Sequence, residues 1–200
     1  MLVRLLAAAC LAAALPGAAL PGSALAQDAR RGAELAAQSC VNCHGANGRS
    51  QMEGIPSLAG QPADFITVQM ILFREGLRQV PAMTAFAANL PDRDIEDIAA
   101  YFASLPAGPP EDRRPRDATL FAAGQALTGP RNCGVCHLPD FRGRNQIPRL
   151  TFQREEFLTH TMIEYRDGQR VGADSQMNGA VQGMTDAQIA AVAHYLAHLP

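Results

Sequence analysis

Tryptophan and lysine are both absent from this 200-residue chain. Without Trp, a domain of about 80 residues, the size of each of the two repeated units in this chain, has a thin core by ordinary standards and needs something else to pack around. Arginine alone carries the positive charge, 17 residues against 19 acids, and at that balance nucleic acid is excluded as a partner. No apolar run reaches the length of a transmembrane helix. No convincing period-2 pattern marks a strand, so the expected class is all-α. Cysteine is scarce as well: of five residues, Cys10 lies in the leader and the rest form two close pairs, leaving no thiol for a structural disulfide.

Residues 1–26 read as an export signal, with Arg4 as the n-region, an apolar run from Leu5 to Leu15, a break at Pro16-Gly17 and a small-x-small site at Ala24-Leu25-Ala26. Cys10 sits within hydrophobic sequence that continues past it, so it is discarded with the leader. Taking Arg4 from the 17 arginines leaves 16 against 19 acids, a mature charge of −3. The product is expected in the periplasm.

What is present is Cys-x-x-Cys-His, twice: Cys40-Val41-Asn42-Cys43-His44 and Cys133-Gly134-Val135-Cys136-His137. This is the attachment signature of c-type haem. Two thiols add to the haem vinyl groups, and the next residue offers an imidazole to one face of the iron. Two copies in an exported chain exclude a chance match or a zinc knuckle, and they imply two covalent haem c groups. The cofactor also answers the missing Trp, because apolar side chains can wrap around its large plane.

The repeat extends beyond the motifs. Ile55-Pro56-Ser57-Leu58 is matched by Ile147-Pro148-Arg149-Leu150, Arg74-Glu75-Gly76 by Arg166-Asp167-Gly168, and the stretch from Ile98 to Pro106 by that from Val192 to Pro200. The expected organisation is a first domain at 27–106, a stiff, solvated linker at 107–117 and a second domain at 118–200. Helices are expected over 29–39 and 118–128, from Pro62 to about Glu75, and over the final segment of each copy. There Ile95, Ile98, Ala99 and Phe102 are echoed by Ile189, Val192, Ala193 and Leu196 at helical spacing. Thr185 and Gln188 have the spacing of a capping box.

An electron carrier needs its iron closed on both faces, and Met opposite His raises the potential. Met83, expected in a loop, pairs through the repeat with Met177. Met184 aligns with Leu90, which cannot ligate, and is therefore a packing residue. Met70 and Met162 match each other on the middle helix and read as core, as does Met52. His194 and His198 match Ala100 and Ser104 and read as surface or packing residues; His160, mid-helix opposite Val68, is the minor alternative ligand. The axial pairs are thus His44 with Met83 and His137 with Met177.

Taken together, Cys40-x-x-Cys43-His44-Gly45, Pro56-Ser57-Leu58-Ala59-Gly60-Gln61, Gln69, Arg74-Glu75-Gly76, Met83 and Ile98-Ala99-Ala100-Tyr101 resemble the tandem dihaem class I cytochromes c. The likeness is greatest to the cytochrome c4 family and covers essentially the whole mature length. The resemblance implies two tandem cytochrome c domains, each wrapping one covalently attached haem. It assigns the carbonyls of Pro56 and Pro148 to the proximal histidines. It also implies a crossing of first and last helices at Gly32 and Tyr101, and again at Gly124 and Tyr195. The second half departs from the pattern: Leu138 replaces the Gly after the motif, and Thr151-Phe152-Gln153 replaces Ala-Gly-Gln. Arg142, Arg144, Arg149 and Arg154 cluster there, by default a solvated surface and in a sharper reading a dock for an acidic partner.

The function implied is a diffusible electron carrier between a respiratory donor and a terminal oxidase or reductase, meeting both through small transient interfaces. The alternative is the dihaem subunit of a periplasmic dehydrogenase such as flavocytochrome c sulfide dehydrogenase. Catalysis at haem, as in dihaem peroxidases, needs an open iron site that two Met ligands would deny.

Overall fold

The computed structural model describes residues 27–170 and 175–200; the expected export signal at 1–26 lies outside them. Among the described residues ten helices follow one another, with no strand beyond an isolated bridge between Arg144 and Ile147. The first five are α1 (Ala29–Ser39), α2 (Val41–His44), α3 (Ala63–Arg74), α4 (Pro81–Ala87) and α5 (Asp92–Ser104). The second five repeat their order: α6 (Ala118–Thr128), α7 (Cys133–His137), α8 (Glu155–Arg166), α9 (Gln176–Val181) and α10 (Asp186–Ala197). None of these helices is long and apolar enough to cross a membrane.

Local chemistry sets the starts. Asp28 accepts from the N–H groups of Arg30 and Arg31, and Asp117 from those of Thr119 and Leu120, satisfying donors that a helix N-terminus leaves open. Thr185 and Gln188 close a complete capping box on α10. In each half the first helix then lies across the last. At Gly32 an added Cβ would stand 1.9 Å from the Asp97 carbonyl oxygen, and at Gly124 it would stand 2.1 Å from that of Ala191. Only glycine allows this approach, which the rest of each half is built around. Tyr195 packs at the second crossing, edge-on to Phe121. At the first, the atoms nearest an added Gly32 Cβ belong to the backbones of Asp97 and Ile98.

Each half has its own core. Ala36, Ile66, Met70, Phe73, Ile95, Ile98 and Phe102 form the first, and Phe141, Leu158, Met162, Val181, Met184, Ile189 and Val192 the second. Met70, Met162 and Met184 are therefore packing residues, while Met52 is exposed. His194 is buried and polar: its Nδ1 faces Glu155 at 3.0 Å and its Nε2 accepts the Asp117 N–H at 2.9 Å.

Residues 107–117 are not simply solvated. Gly108 is buried against the Arg49 guanidinium. Asp112 pairs with Arg154, Arg113 donates to the Ala197 carbonyl, and the Arg114 carbonyl meets His198. The linker is tied to the second half mainly through its own side chains, Asp112 and Arg113, and through one backbone carbonyl, that of Arg114.

Candidate haem-binding sites

Each Cys-x-x-Cys-His motif folds into a short helix of its own, α2 and α7, an element the periodicity does not signal because it is barely one turn long. One helical turn puts the two cysteines of a pair on the same face, and all four thiols are free of disulfides. The following histidines point inward, His44 at 7% and His137 at 6% exposure. The Nδ1 of His44 lies 2.8 Å from the Pro56 carbonyl oxygen and that of His137 lies 2.9 Å from the Pro148 carbonyl oxygen. A carbonyl only accepts, so Nδ1 carries the proton in both rings and Nε2 keeps its lone pair. Burial, opposed by the carbonyl bond, pushes both imidazoles below the ordinary histidine range. Burial thus favours the neutral ring, which is the ligating form.

Met83 and Met177 sit on helices rather than loops: α4 begins at Pro81, whose fixed φ suits the first helical turn, and Met177 lies in the first turn of α9. Both are half-buried beside their cores. Their segments are clamped alike. Arg74 donates to the Leu90 carbonyl and pairs with Asp92, and Arg166 donates to the Met184 carbonyl and pairs with Asp186. These two arginines hold the end of the middle helix to the start of the last one.

The structure fits the cofactor in two further ways. Directly after each methionine stands a buried polar atom without a hydrogen bond, Thr84 Oγ1 and Asn178 Oδ1, which is how a wall left open to a polar-edged ligand looks. Arg78 and Arg170 are also deeply placed, stacked on Phe73 and Tyr165 and both contacting Gln69 Oε1. Burial and then the Arg170 charge lower the Arg78 pKa to about 9. Neither has a carboxylate ion pair among the described residues, and a like-charge pair with Arg170 buried and Arg78 half-buried suits an anion such as a haem propionate.

Two other arrangements carry less. Glu155, His194 and His198 bring ligand atoms close together, but the backbone has claimed them. His194 Nε2 accepts from Asp117, and both nitrogens of His198 face carbonyl oxygens, those of His194 and Arg114. The arginine cluster of the second half is divided. Arg142 and Arg144 are exposed, but Arg154 is 6% exposed and bonds Asp112 and the Ser50 carbonyl. Arg149 is half-buried against the Gly60 carbonyl and Thr151. Those two arginines join the halves and are withdrawn from any outside partner. Also missed from sequence were Gln61 and Gln153, both 4% exposed and bonded across the halves. A signal existed: when Leu-Ala-Gly-Gln becomes Leu-Thr-Phe-Gln, only the Leu and the Gln survive.

Comparison with known proteins agrees with this geometry. Residues 27–102 match the family model for cytochrome C oxidase, cbb3-type, subunit III, and residues 121–200 match that for cytochrome c. Cytochrome c4 of Pseudomonas aeruginosa is 33% identical, over 86% of this chain and 88% of its own length; that of Thiocapsa roseopersicina is 31% identical, over 84% and 91%. The crystal structure of reduced recombinant cytochrome c4 from Pseudomonas stutzeri superposes with a TM-score of 0.80 at 29% identity, covering 88% of this chain and all of that one. Thiosulfate dehydrogenase (TsdBA) from Marichromatium purpuratum superposes at 0.73 with 30% identity, over 86% of this chain and 40% of its own. Two all-helical cytochrome c domains in tandem, matched along their length, establish that the chain belongs to the cytochrome c4 family and carries two covalently bound haem c groups.

Proposed function

We propose that this dihaem electron-transfer protein is a periplasmic carrier without a chemical substrate, its leader at 1–26 directing export. Cys40 and Cys43 anchor one haem and Cys133 and Cys136 the other. His44 and Met83 are the axial ligands to the first iron, and His137 and Met177 those to the second. The observation that supports this most is the repeated histidine–proline bond, which fixes the tautomer and leaves Nε2 free to ligate at two equivalent points. Haem, when bound, supplies a one-electron couple. The chain's residues do the rest. The proline carbonyls orient the imidazoles, the Arg74 and Arg166 clamps steady the methionine segments, and both methionines are half-buried. An iron closed on both faces in this way suits electron transfer rather than ligand binding.

For partners, the reading is a respiratory donor and a terminal oxidase or reductase. A second source of electrons, a sulfur-oxidising dehydrogenase, is favoured by the relatives. A protein named thiosulfate dehydrogenase electron acceptor, from Stutzerimonas stutzeri, is 31% identical over 84% of this chain, and the likeness to TsdBA points the same way. Met83→Ala and Met177→Ala should each open one iron to carbon monoxide in the reduced protein while leaving both haems attached. The unaltered protein should be inert. If Met177→Ala left both haems six-coordinate with unchanged spectra, the ligand assignment would fail. Stopped-flow reduction by a thiosulfate dehydrogenase, compared with a quinol-oxidising complex, distinguishes the donors.

A further inference from the structure

The halves meet through two loops that grip each other reciprocally. Gln153 accepts the Ser57 N–H at 2.7 Å on Oε1 and donates from Nε2 to the Ser57 carbonyl at 2.9 Å. At the equivalent place, Gln61 accepts the Arg149 N–H at 3.0 Å on Oε1 and donates to the Arg149 carbonyl at 2.9 Å. Gln61 matches Gln153 and Ser57 matches Arg149 in the repeat, so the contact is isologous within a single chain. Both amides meet backbone groups of fixed polarity, which sets which end is oxygen.

The Ser57 N–H and the Pro56 carbonyl belong to one peptide group, and that carbonyl is the partner of His44 Nδ1. The Arg149 N–H and the Pro148 carbonyl likewise share a peptide, whose oxygen is the partner of His137 Nδ1. Each proximal imidazole is therefore joined through one peptide to a buried glutamine of the other half. We propose that Gln153 is a positioning and tuning residue for the haem held by His44, and Gln61 for the haem held by His137. This rests on those two histidines being iron ligands.

Hydrogen bonds in series polarise one another. Acceptance of the Ser57 N–H by Gln153 puts more negative charge on the Pro56 oxygen, which draws harder on the His44 proton. An imidazole so drawn is a stronger donor to iron, and a stronger donor favours the oxidised state. Each half thus lowers the potential of the other's haem. The bond to Ser57 is the shorter of the two, although Gln153 Oε1 also accepts the Arg154 N–H at 3.0 Å.

The test is a spectroelectrochemical titration of the holoprotein, with 15N-histidine NMR following each ring Nδ1–H. In the oxidised protein both Nδ1–H signals should be hyperfine-shifted; absence of that shift for His44 or His137 would sink the ligand reading itself. With ligation so verified, Gln153→Leu should raise the potential of the His44 haem and move the His44 Nδ1–H signal. The His137 haem should stay in place. Gln61→Leu should do the mirror image. Should Gln153→Leu fail to fold, Gln153→Glu keeps an acceptor toward the Ser57 N–H and should hold the His44 potential at or below that of the parent. An effect confined to the haem of the mutated half, equal shifts of both haems, or no shift would each overturn the proposal.

Discussion

The two halves share a backbone that only one of them builds with glycine. Gly45, Gly48 and Gly60 have φ of 83°, 71° and 66°. Their counterparts, Leu138, Phe141 and Phe152, have φ of 70°, 54° and 61°. The matching bonds show that the geometry is the same: Leu58 N–H donates to the Gly48 carbonyl at 2.7 Å and Leu150 N–H to the Phe141 carbonyl at 2.8 Å. A left-handed conformation costs a non-glycine residue roughly 1–2 kcal/mol, so the second half retains strain at these three positions, beside the left-handed Asn132 and Asn145. What the halves keep in common is the path from the Cys-x-x-Cys-His motif to the proline carbonyl that meets its histidine. The backbone of that path is the invariant, and side-chain chemistry bends to it.

The strain has compensation at one of the three positions above all. Phe141 is 5% exposed and stands edge-on to Tyr195 with ring centroids 6.1 Å apart. Phe141→Gly, which would make the second half resemble the first, should therefore destabilise it by about 1–4 kcal/mol: the loss of a core phenylalanine, about 3–5 kcal/mol, outweighs the roughly 1–2 kcal/mol of strain relieved. Urea unfolding followed through the absorbance of the second haem measures this. A neutral or stabilising result would mean that the ring contributes nothing to the core.

The halves also differ in how the last helix is held. Asp97, 1% exposed, accepts from the Asp28 N–H at 2.7 Å and from Arg31 at 2.6 Å. Ala191 occupies its place in the second half, where His194, Glu155 and Asp117 tie the corresponding elements. Burial works to raise the Asp97 pKa, but the Asp28 N–H and then the arginines bring it below the ordinary carboxylate range. A depressed carboxylate stabilises the fold above its unfolded pKa and loses that contribution as pH falls through its folded pKa. Asp97 should thus make the first helix crossing acid-sensitive, and Asp97→Ala should remove that contribution. At neutral pH that change should cost about 2–3 kcal/mol, less than a fully buried pair, because Arg31 is 37% exposed and keeps Asp94. Acid titration of wild type and variant, read at each haem, checks both parts.

These contrasts also show where sequence reading succeeds. The long helices were legible because one face must be apolar, and Ile95, Ile98 and Phe102 repeat as Ile189, Val192 and Leu196. The histidine–proline bonds followed from resemblance, and the bonds are there in both halves. Helix α4 was missed because a seven-residue helix has too few turns to show a period. Arg149 and Arg154 were misplaced because an arginine that ties two loops together has the same composition as one in solvent; only the partner, a carbonyl of the other half, tells them apart. The left-handed Leu138 and Phe141 were hidden for a related reason, since residue type argues against that conformation and tertiary contacts impose it.

Leu138 is where the strain has least compensation. It is half-exposed and caps α7 with φ 70° and ψ 158°. Its counterpart Gly45 has no choice, because an added Cβ would lie 2.2 Å from the Arg49 carbonyl oxygen. In the second half a close approach of this kind has moved to Gly143, whose N–H donates to the His137 carbonyl and whose added Cβ would meet the Ile147 oxygen at 2.4 Å. Leu138→Gly relieves roughly 1–2 kcal/mol of backbone strain. Against that, it frees the unfolded chain by about 0.4–1 kcal/mol and gives up some apolar contact. The net expected is a gain of no more than about 1 kcal/mol, with haem attachment and both potentials unchanged. A clear loss of stability would show that the Leu138 side chain, rather than the backbone path, holds this turn against the haem.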